Sequence, residues 1–110
     1  MSQKKKIKKR DSDGDVDLLD KQEAKLPPAR YKVVYHNDDF TPMNYVTDSL
    51  IHVFHLSAVE AYNITMQVHE KGKGIAKSGL SKEIAETKSE TVVQFFRSLG
   101  YPLLSTFEKE

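Results

Sequence analysis

Tyr31-Lys32-Val33-Val34-Tyr35-His36-Asn37-Asp38-Asp39-Phe40-Thr41-Pro42-Met43 is the stretch on which the fold turns. Its first part is rich in β-branched and aromatic residues, which predicts a strand from about Arg30 to His36. Asn37, Asp38 and Asp39 then end the strand, because short acceptor side chains favour turns by capping local backbone N–H groups. Thr41 suits a helix N-cap. Pro42 suits the first helical position, where its missing N–H costs nothing. Three acceptors are therefore held at one corner between a strand and a helix. Such a corner can satisfy a cation or a group dense in donors. The same residues are ordinary turn formers, so the corner alone leaves both readings open.

Downstream, Val46, Leu50, Val53 and Phe54 share one face at helical spacing, which continues the helix that begins at Pro42. Ser57 with Glu60 forms a capping box for a second helix, whose apolar stripe is Ala61, Ile64 and Val68 and whose stop is Gly72. Ser81 offers a possible helix start, but Thr87 with Glu90 forms a fuller capping box ahead of Val92, Val93, Phe95, Phe96 and Leu99. This predicts an extended segment from about Gly74 to Glu86, with Gly79 at a bend or bulge, then a helix from Lys88 to Leu99. Gly100 and Pro102 stop that helix, and a last strand follows over Leu103 to Glu108. The order β-α-α-β-α-β describes a single small α/β (α+β) domain, a three-stranded antiparallel sheet covered by three helices. A domain of this size leaves little room for an internal cavity, so any ligand site should be shallow.

Upstream, the charge is segregated. Residues 1–10 carry six cations and no anion, and residues 11–20 carry five aspartates and no cation. With few large apolar residues, residues 1–28 read as a disordered, charged extension ending at Pro27-Pro28, and residues 29–110 as the folded domain. The chain has no cysteine, so disulfides and thiolate metal sites are excluded. No apolar run approaches a membrane span and no signal-peptide core is present, which favours a cytoplasmic location. The Lys-rich start alone argues weakly for nucleic acid, because the aspartates behind it would oppose phosphate binding. No nucleic-acid or membrane partner is expected.

His69 falls in the last turn of the second helix. A positive group is favoured at a helix C-terminus, which is one explanation for it. The other is chemical: neutral imidazole offers an acceptor beside the negative end of the helix dipole. Facing the Asn37 corner, it would complete a site for an ammonium group, with Met43, Val46 and Val68 as an apolar floor. His52 and His55, with Asp48 one turn earlier, have a spacing that could serve a metal, yet no third strong ligand is fixed, and a solvent-facing reading is preferred. No catalytic Ser-His-Asp or Cys-His set stands out, and neither enzyme activity nor a cofactor is expected.

Taken in order, Tyr31-Lys32-Val33-Val34, Asn37 to Met43, Val68-His69 with Gly72-Lys73-Gly74, Ala85-Glu86-Thr87-Lys88 and Pro102-Leu103-Leu104 resemble the ClpS adaptor family over about Tyr31 to Lys109. The resemblance implies a protease adaptor that recognises N-degrons, binding a free α-amino group and a large hydrophobic N-terminal side chain (Leu, Phe, Tyr or Trp). Such an adaptor delivers its substrates to a Clp AAA+ unfoldase, ClpA- or ClpC-like, and its peptidase. By position it implies that Asn37, Asp38, Asp39 and His69 bind the amine. Tyr35, Thr41, Met43, Val46, Thr65, Val68 and Leu103 would form the hydrophobic pocket, with Met43 as a gate against β-branched residues. Glu83, Glu86, Thr87 and Lys88 would dock on the unfoldase N-terminal domain, and the extension would drive delivery. Tyr35 and Thr65 depart from the aliphatic or Met side chains usual in the family. They predict a narrower pocket, crowded by Tyr35 and made more polar by Thr65. Two other readings remain open at this level: an interaction module of similar, ribosomal-stalk-like fold without amine recognition, and a metal hydrolase using Asp38, Asp39 and His69.

Overall fold

The computed structural model describes residues 28–110. The extension expected over residues 1–28 therefore falls almost wholly outside the described residues. Six elements follow: β1 (Tyr31–His36), α1 (Met43–Phe54), α2 (Ala58–Lys71), β2 (Lys73–Leu80), α3 (Lys82–Ser98) and β3 (Leu104–Lys109). The sheet is antiparallel in the order β2-β1-β3, as the element pattern predicts.

As the central strand, β1 buries three consecutive residues, Val33, Val34 and Tyr35. Val33 and Tyr35 share the face that meets the helices, where they join Val46, Leu50, Phe54, Ala61, Val68, Val92, Phe96 and Leu103 in one core. Burying each of the large side chains stabilises the fold by roughly 1.5–3 kcal/mol. α2 packs on β2, α3 packs on β3 and β1, and α1 rests against both α2 and α3.

α1 begins one residue later than the sequence suggests. Pro42 is its N-cap, in extended conformation and without a side-chain cap, and Thr41 does not cap. Instead the Thr41 hydroxyl donates to Asp38 Oδ2 at 2.6 Å, tying the turn to itself. α1 ends at His55, whose φ of 58° turns the chain sharply toward α2. The capping box at α2 is as expected: Glu60 N donates to Ser57 Oγ, and Ser57 N donates back to Glu60 Oε1, both at 3.1 Å. Gly72 closes α2 with a φ of 87°, a left-handed conformation that a side chain would strain.

The third helix corrects the sequence reading. It starts at Lys82, not Lys88, and the extended segment stops at Leu80. Ser81 is the cap, accepting from Ile84 N at 3.2 Å, while Thr87 lies inside the helix and its carbonyl accepts from Thr91. The reason is burial. Ala85, Ser89, Val92 and Phe96 fall at 4-3-4 spacing along one face, and starting at Lys88 would forfeit the Ala85 contact. Gly79 lies in the bulge expected of it, between the pairs Val33–Lys77 and Tyr31–Leu80. α3 ends in paired bonds, Tyr101 N to Phe96 O and Gly100 N to Arg97 O, the arrangement that Gly in a left-handed conformation permits.

Candidate functional site

The corner at the end of β1 is fastened to the end of α2. Asn37 N donates to the Gly72 carbonyl at 2.8 Å. This one bond brings the Asn37-Asp38-Asp39 turn beside the last turn of α2, which carries His69. Between them lies a cavity of about 290 Å³ lined by Asn37, Asp38, Asp39, Thr41, Pro42, Met43, Val46, Thr65, Val68 and His69. Its rim is polar, and its walls come from the start of α1 and the last two turns of α2.

Asp38 is partly committed. Its Oδ2 accepts from Phe40 N at 3.0 Å as well as from Thr41 Oγ1. These bonds hold the turn rigid and leave the second carboxylate oxygen available. Asn37, Asp39 and His69 are exposed. Among the described residues, none is hydrogen-bonded to their side chains. The rim thus offers acceptors from two carboxylates, one amide and one imidazole, at a helix C-terminus whose partial negative charge favours a cation. The arrangement can bind a small donor-rich cation with an apolar substituent directed into the cavity.

The interior is built from tightly held parts. Val46, Thr65 and Val68 are buried at 4%, 2% and 2% exposure, whereas Met43 at 37% stands at the mouth. Val68 is held from behind by Gly74, where a Cβ would approach Val68 Cγ2 to 2.9 Å.

Two residues expected in the pocket do not line it. Tyr35 lies on the core face of β1, fully buried, with its hydroxyl 2.8 Å from Ser49 Oγ beneath α1. Strand parity sends it there with Val33, so it supports the pocket from below instead of crowding it. Burial pushes its phenol pKa well above the ordinary tyrosine range, only partly offset by the Ser49 bond. Leu103 is buried in the core ahead of β3 and does not reach the cavity. Conversely, Pro42 lines the cavity, although the sequence marks it only as a helix starter. Its place between Thr41 and Met43, both assigned to the pocket, was the available signal.

The second expected surface lies on α3. Glu83, Glu86 and Thr87 are exposed there, but Lys88 is half-buried. Its Nζ donates to the Val53 carbonyl at 2.8 Å and sits 6.0 Å from the Phe54 ring centroid, so it fastens α3 to the end of α1. His52 and His55 are both exposed, and among the described residues no group of three or more His, Asp or Glu side chains could hold a metal ion. No helix among the described residues is long and apolar enough to cross a membrane.

Comparison with known proteins joins these observations. The model of the family described as ATP-dependent Clp protease adaptor protein ClpS matches residues 26–106. The chain is 48% identical over 83 residues to the ATP-dependent Clp protease adapter protein ClpS of Desulforapulum autotrophicum, covering 76% of this chain and 79% of that protein. It is 44% identical over 94 residues to the ClpS of Vibrio atlanticus, covering 84% and 88% respectively. Among solved structures, Agrobacterium tumefaciens ClpS2 bound to L-phenylalaninamide superposes with a TM-score of 0.73 at 34% identity, covering 76% of this chain and all of that one.

Proposed function

This chain belongs to the ClpS family of ATP-dependent Clp protease adaptors, and from that premise we propose that its cavity reads the N-terminus of substrates destined for a Clp protease. The family is one of adaptors, not of catalysts. In this reading Asn37, Asp39, His69 and the open oxygen of Asp38 receive the free α-ammonium group. The first side chain enters the cavity formed by Thr41, Met43, Val46, Thr65 and Val68. Leu, Phe, Tyr and Trp are the residues served.

The observation that carries the proposal is the meeting of four acceptors and an apolar recess at one cavity, joined by the Asn37–Gly72 backbone bond. An ammonium has three N–H donors and needs an acceptor for each once water is displaced. The captured ligand of the solved relative, L-phenylalaninamide, combines a free amine with a benzyl side chain, the two features this cavity suits. Glu83, Glu86 and Thr87 then form an exposed surface for the N-terminal domain of a ClpA- or ClpC-like unfoldase. Residues 1–28 act as the extension that engages the unfoldase during delivery in the cytoplasm.

The test is fluorescence anisotropy with short peptides that differ only in the first residue, each free and N-acetylated. Acetylation removes the charge and two of the donors. Each acceptor left unpaired costs roughly 1–3 kcal/mol, with the lower end applying here because the rim is open to water. The expected result is binding of free Phe, Tyr, Trp or Leu peptides that weakens at least about tenfold on acetylation, a factor equal to 1.4 kcal/mol. Equal affinity for free and acetylated peptides would overturn the reading.

A further inference from the structure

The polar groups of the cavity do not end at its rim. Thr65 is 2% exposed and lines the wall, and its hydroxyl belongs to a short chain of oxygens. Thr65 Oγ1 lies 2.8 Å from the Ala61 carbonyl and 2.8 Å from Thr47 Oγ1, and Thr47 Oγ1 lies 3.2 Å from the Met43 carbonyl. Two hydroxyl hydrogens must serve three contacts. Both carbonyls can only accept, and the short contact between the hydroxyls needs a hydrogen. Only two arrangements satisfy it: Thr47 gives to Thr65, which gives to Ala61, or Thr65 gives to Thr47, which gives to Met43. In both, Thr65 has spent its hydrogen and keeps a lone pair. In either arrangement Thr65 therefore presents a lone pair that can accept from a ligand.

Thr65 precedes His69 by four residues, so the two stand about 6 Å apart along α2, one turn of helix. By ordinary bond lengths, a phenol oxygen lies roughly 7 Å from the α-nitrogen of its own residue. A tyrosine whose amine is held at the His69 rim is therefore long enough for its O–H to reach the depth of Thr65. Phe and Leu bring no donor and bury that lone pair unpaired.

We propose that Thr65 is a specificity-determining residue of the side-chain pocket, an acceptor held by Thr47 that makes N-terminal Tyr the preferred first residue over Phe and Leu. The inference rests on the amine-recognition reading above and goes further by ranking its substrates.

The full chain is titrated with matched peptides beginning with Tyr, Phe or O-methyltyrosine, each free and acetylated. The wild type should bind the Tyr peptide about fivefold more tightly than Phe, the size of one ordinary net hydrogen bond. O-methyltyrosine, which keeps the oxygen but loses the donor, should bind no better than Phe. Thr65→Val should bring the Tyr-to-Phe ratio to one or below, and Thr65→Ser, which keeps the hydroxyl, should preserve it. Phe binding as tightly as Tyr in the wild type, full affinity for O-methyltyrosine, or a preference that survives Thr65→Val would each overturn the proposal. The O-methyltyrosine comparison decides the matter even if Thr65→Val does not fold. Binding that depends on the free amine but ignores the phenol would sink this inference alone. Binding indifferent to acetylation would sink the amine reading beneath it.

Discussion

Replacing Gly74 by Ala should disturb the cavity from behind, without replacing any residue that lines it. A methyl group there would lie 2.9 Å from Val68 Cγ2, 3.3 Å from Gln67 Oε1 and 3.5 Å from the Ile64 carbonyl. Gly74 needs no left-handed backbone, so what it provides is space. Gln67 is exposed and can swing away, but Val68 is 2% exposed and has nowhere to go except toward the cavity. Either Val68 shifts inward or α2 lifts from β2. Overpacking of this kind costs about 1–3 kcal/mol. The stiffer unfolded chain of the Ala variant returns about 0.4–1 kcal/mol. The net loss should be about 1–2 kcal/mol, and at about 4–8 °C per kcal/mol for a domain of this size, Tm should fall by roughly 5–15 °C. Calorimetry and peptide titration read the two consequences separately: a lower Tm, and weaker binding that is most marked for the bulkiest first residue. Adding Val68→Ala should relieve the clash, so the double variant should lose less than the sum of the single variants. An unchanged or higher Tm for Gly74→Ala would refute the reasoning, and so would strict additivity.

Ser81→Ala should destabilise the fold by about 1 kcal/mol through loss of the α3 cap, whereas Thr87→Ala should be neutral or slightly stabilising; the reverse order in urea midpoints would return the helix start to Thr87. Lys88→Met removes the donor to the Val53 carbonyl and should cost about 1 kcal/mol at unchanged m value, so an unaltered midpoint would show that the contact contributes nothing. Tyr35→Phe should change the alkaline limb of stability. Because burial raises the Tyr35 pKa, the folded chain keeps a proton that the unfolded chain releases above about pH 10. Stability from this group is complete below that pH and falls above it by up to about 1.4 kcal/mol per pH unit. The Phe variant should lose that share of the slope, and identical slopes in the two proteins would refute the assignment.

The parts of the fold readable from sequence were those with a strong local signal. The Ser57–Glu60 box, the Gly72 stop and the apolar run of β1 act over a few residues, and tertiary packing agrees with them. The start of α3 is not legible in the sequence because two plausible caps, Ser81 and Thr87, compete within six residues, and the choice is made by Ala85 reaching a core that lies distant in the chain. Thr41 failed as a cap for a related reason: Asp38, three residues earlier, takes its hydroxyl. At the site, the rim and most of the walls could be named from residue order, since β1 and α2 end at the same side of the sheet. Family resemblance alone places Tyr35 and Leu103 at the pocket, and neither lines the cavity. Strand parity, already visible in Val33 and Tyr35, assigns Tyr35 to the core beneath α1. The oxygen chain through Thr47 was not legible at all, because it depends on how closely α1 approaches α2.

That approach explains why so small a domain can hold a selective cavity. About eighty residues cannot wall off a large interior space, and this chain does not attempt it. The cavity lies where two helices part at the edge of the core, and each of its features is shared with a structural element. The Gly72 carbonyl that ends α2 also accepts from Asn37, so the turn and the helix terminus are set by one bond. Asp38 braces its own turn with one oxygen and leaves the other open. Val68 is both core and cavity wall, and its position is fixed by the absence of a side chain at Gly74. On the proposed reading, recognition of the amine and of the side chain is coupled, because the rim and the wall are successive turns of α2, His69 directly after Val68 and one turn beyond Thr65. A substitution that loosens the helix should weaken both together, whereas a substitution confined to Thr65 should alter only the ranking of side chains.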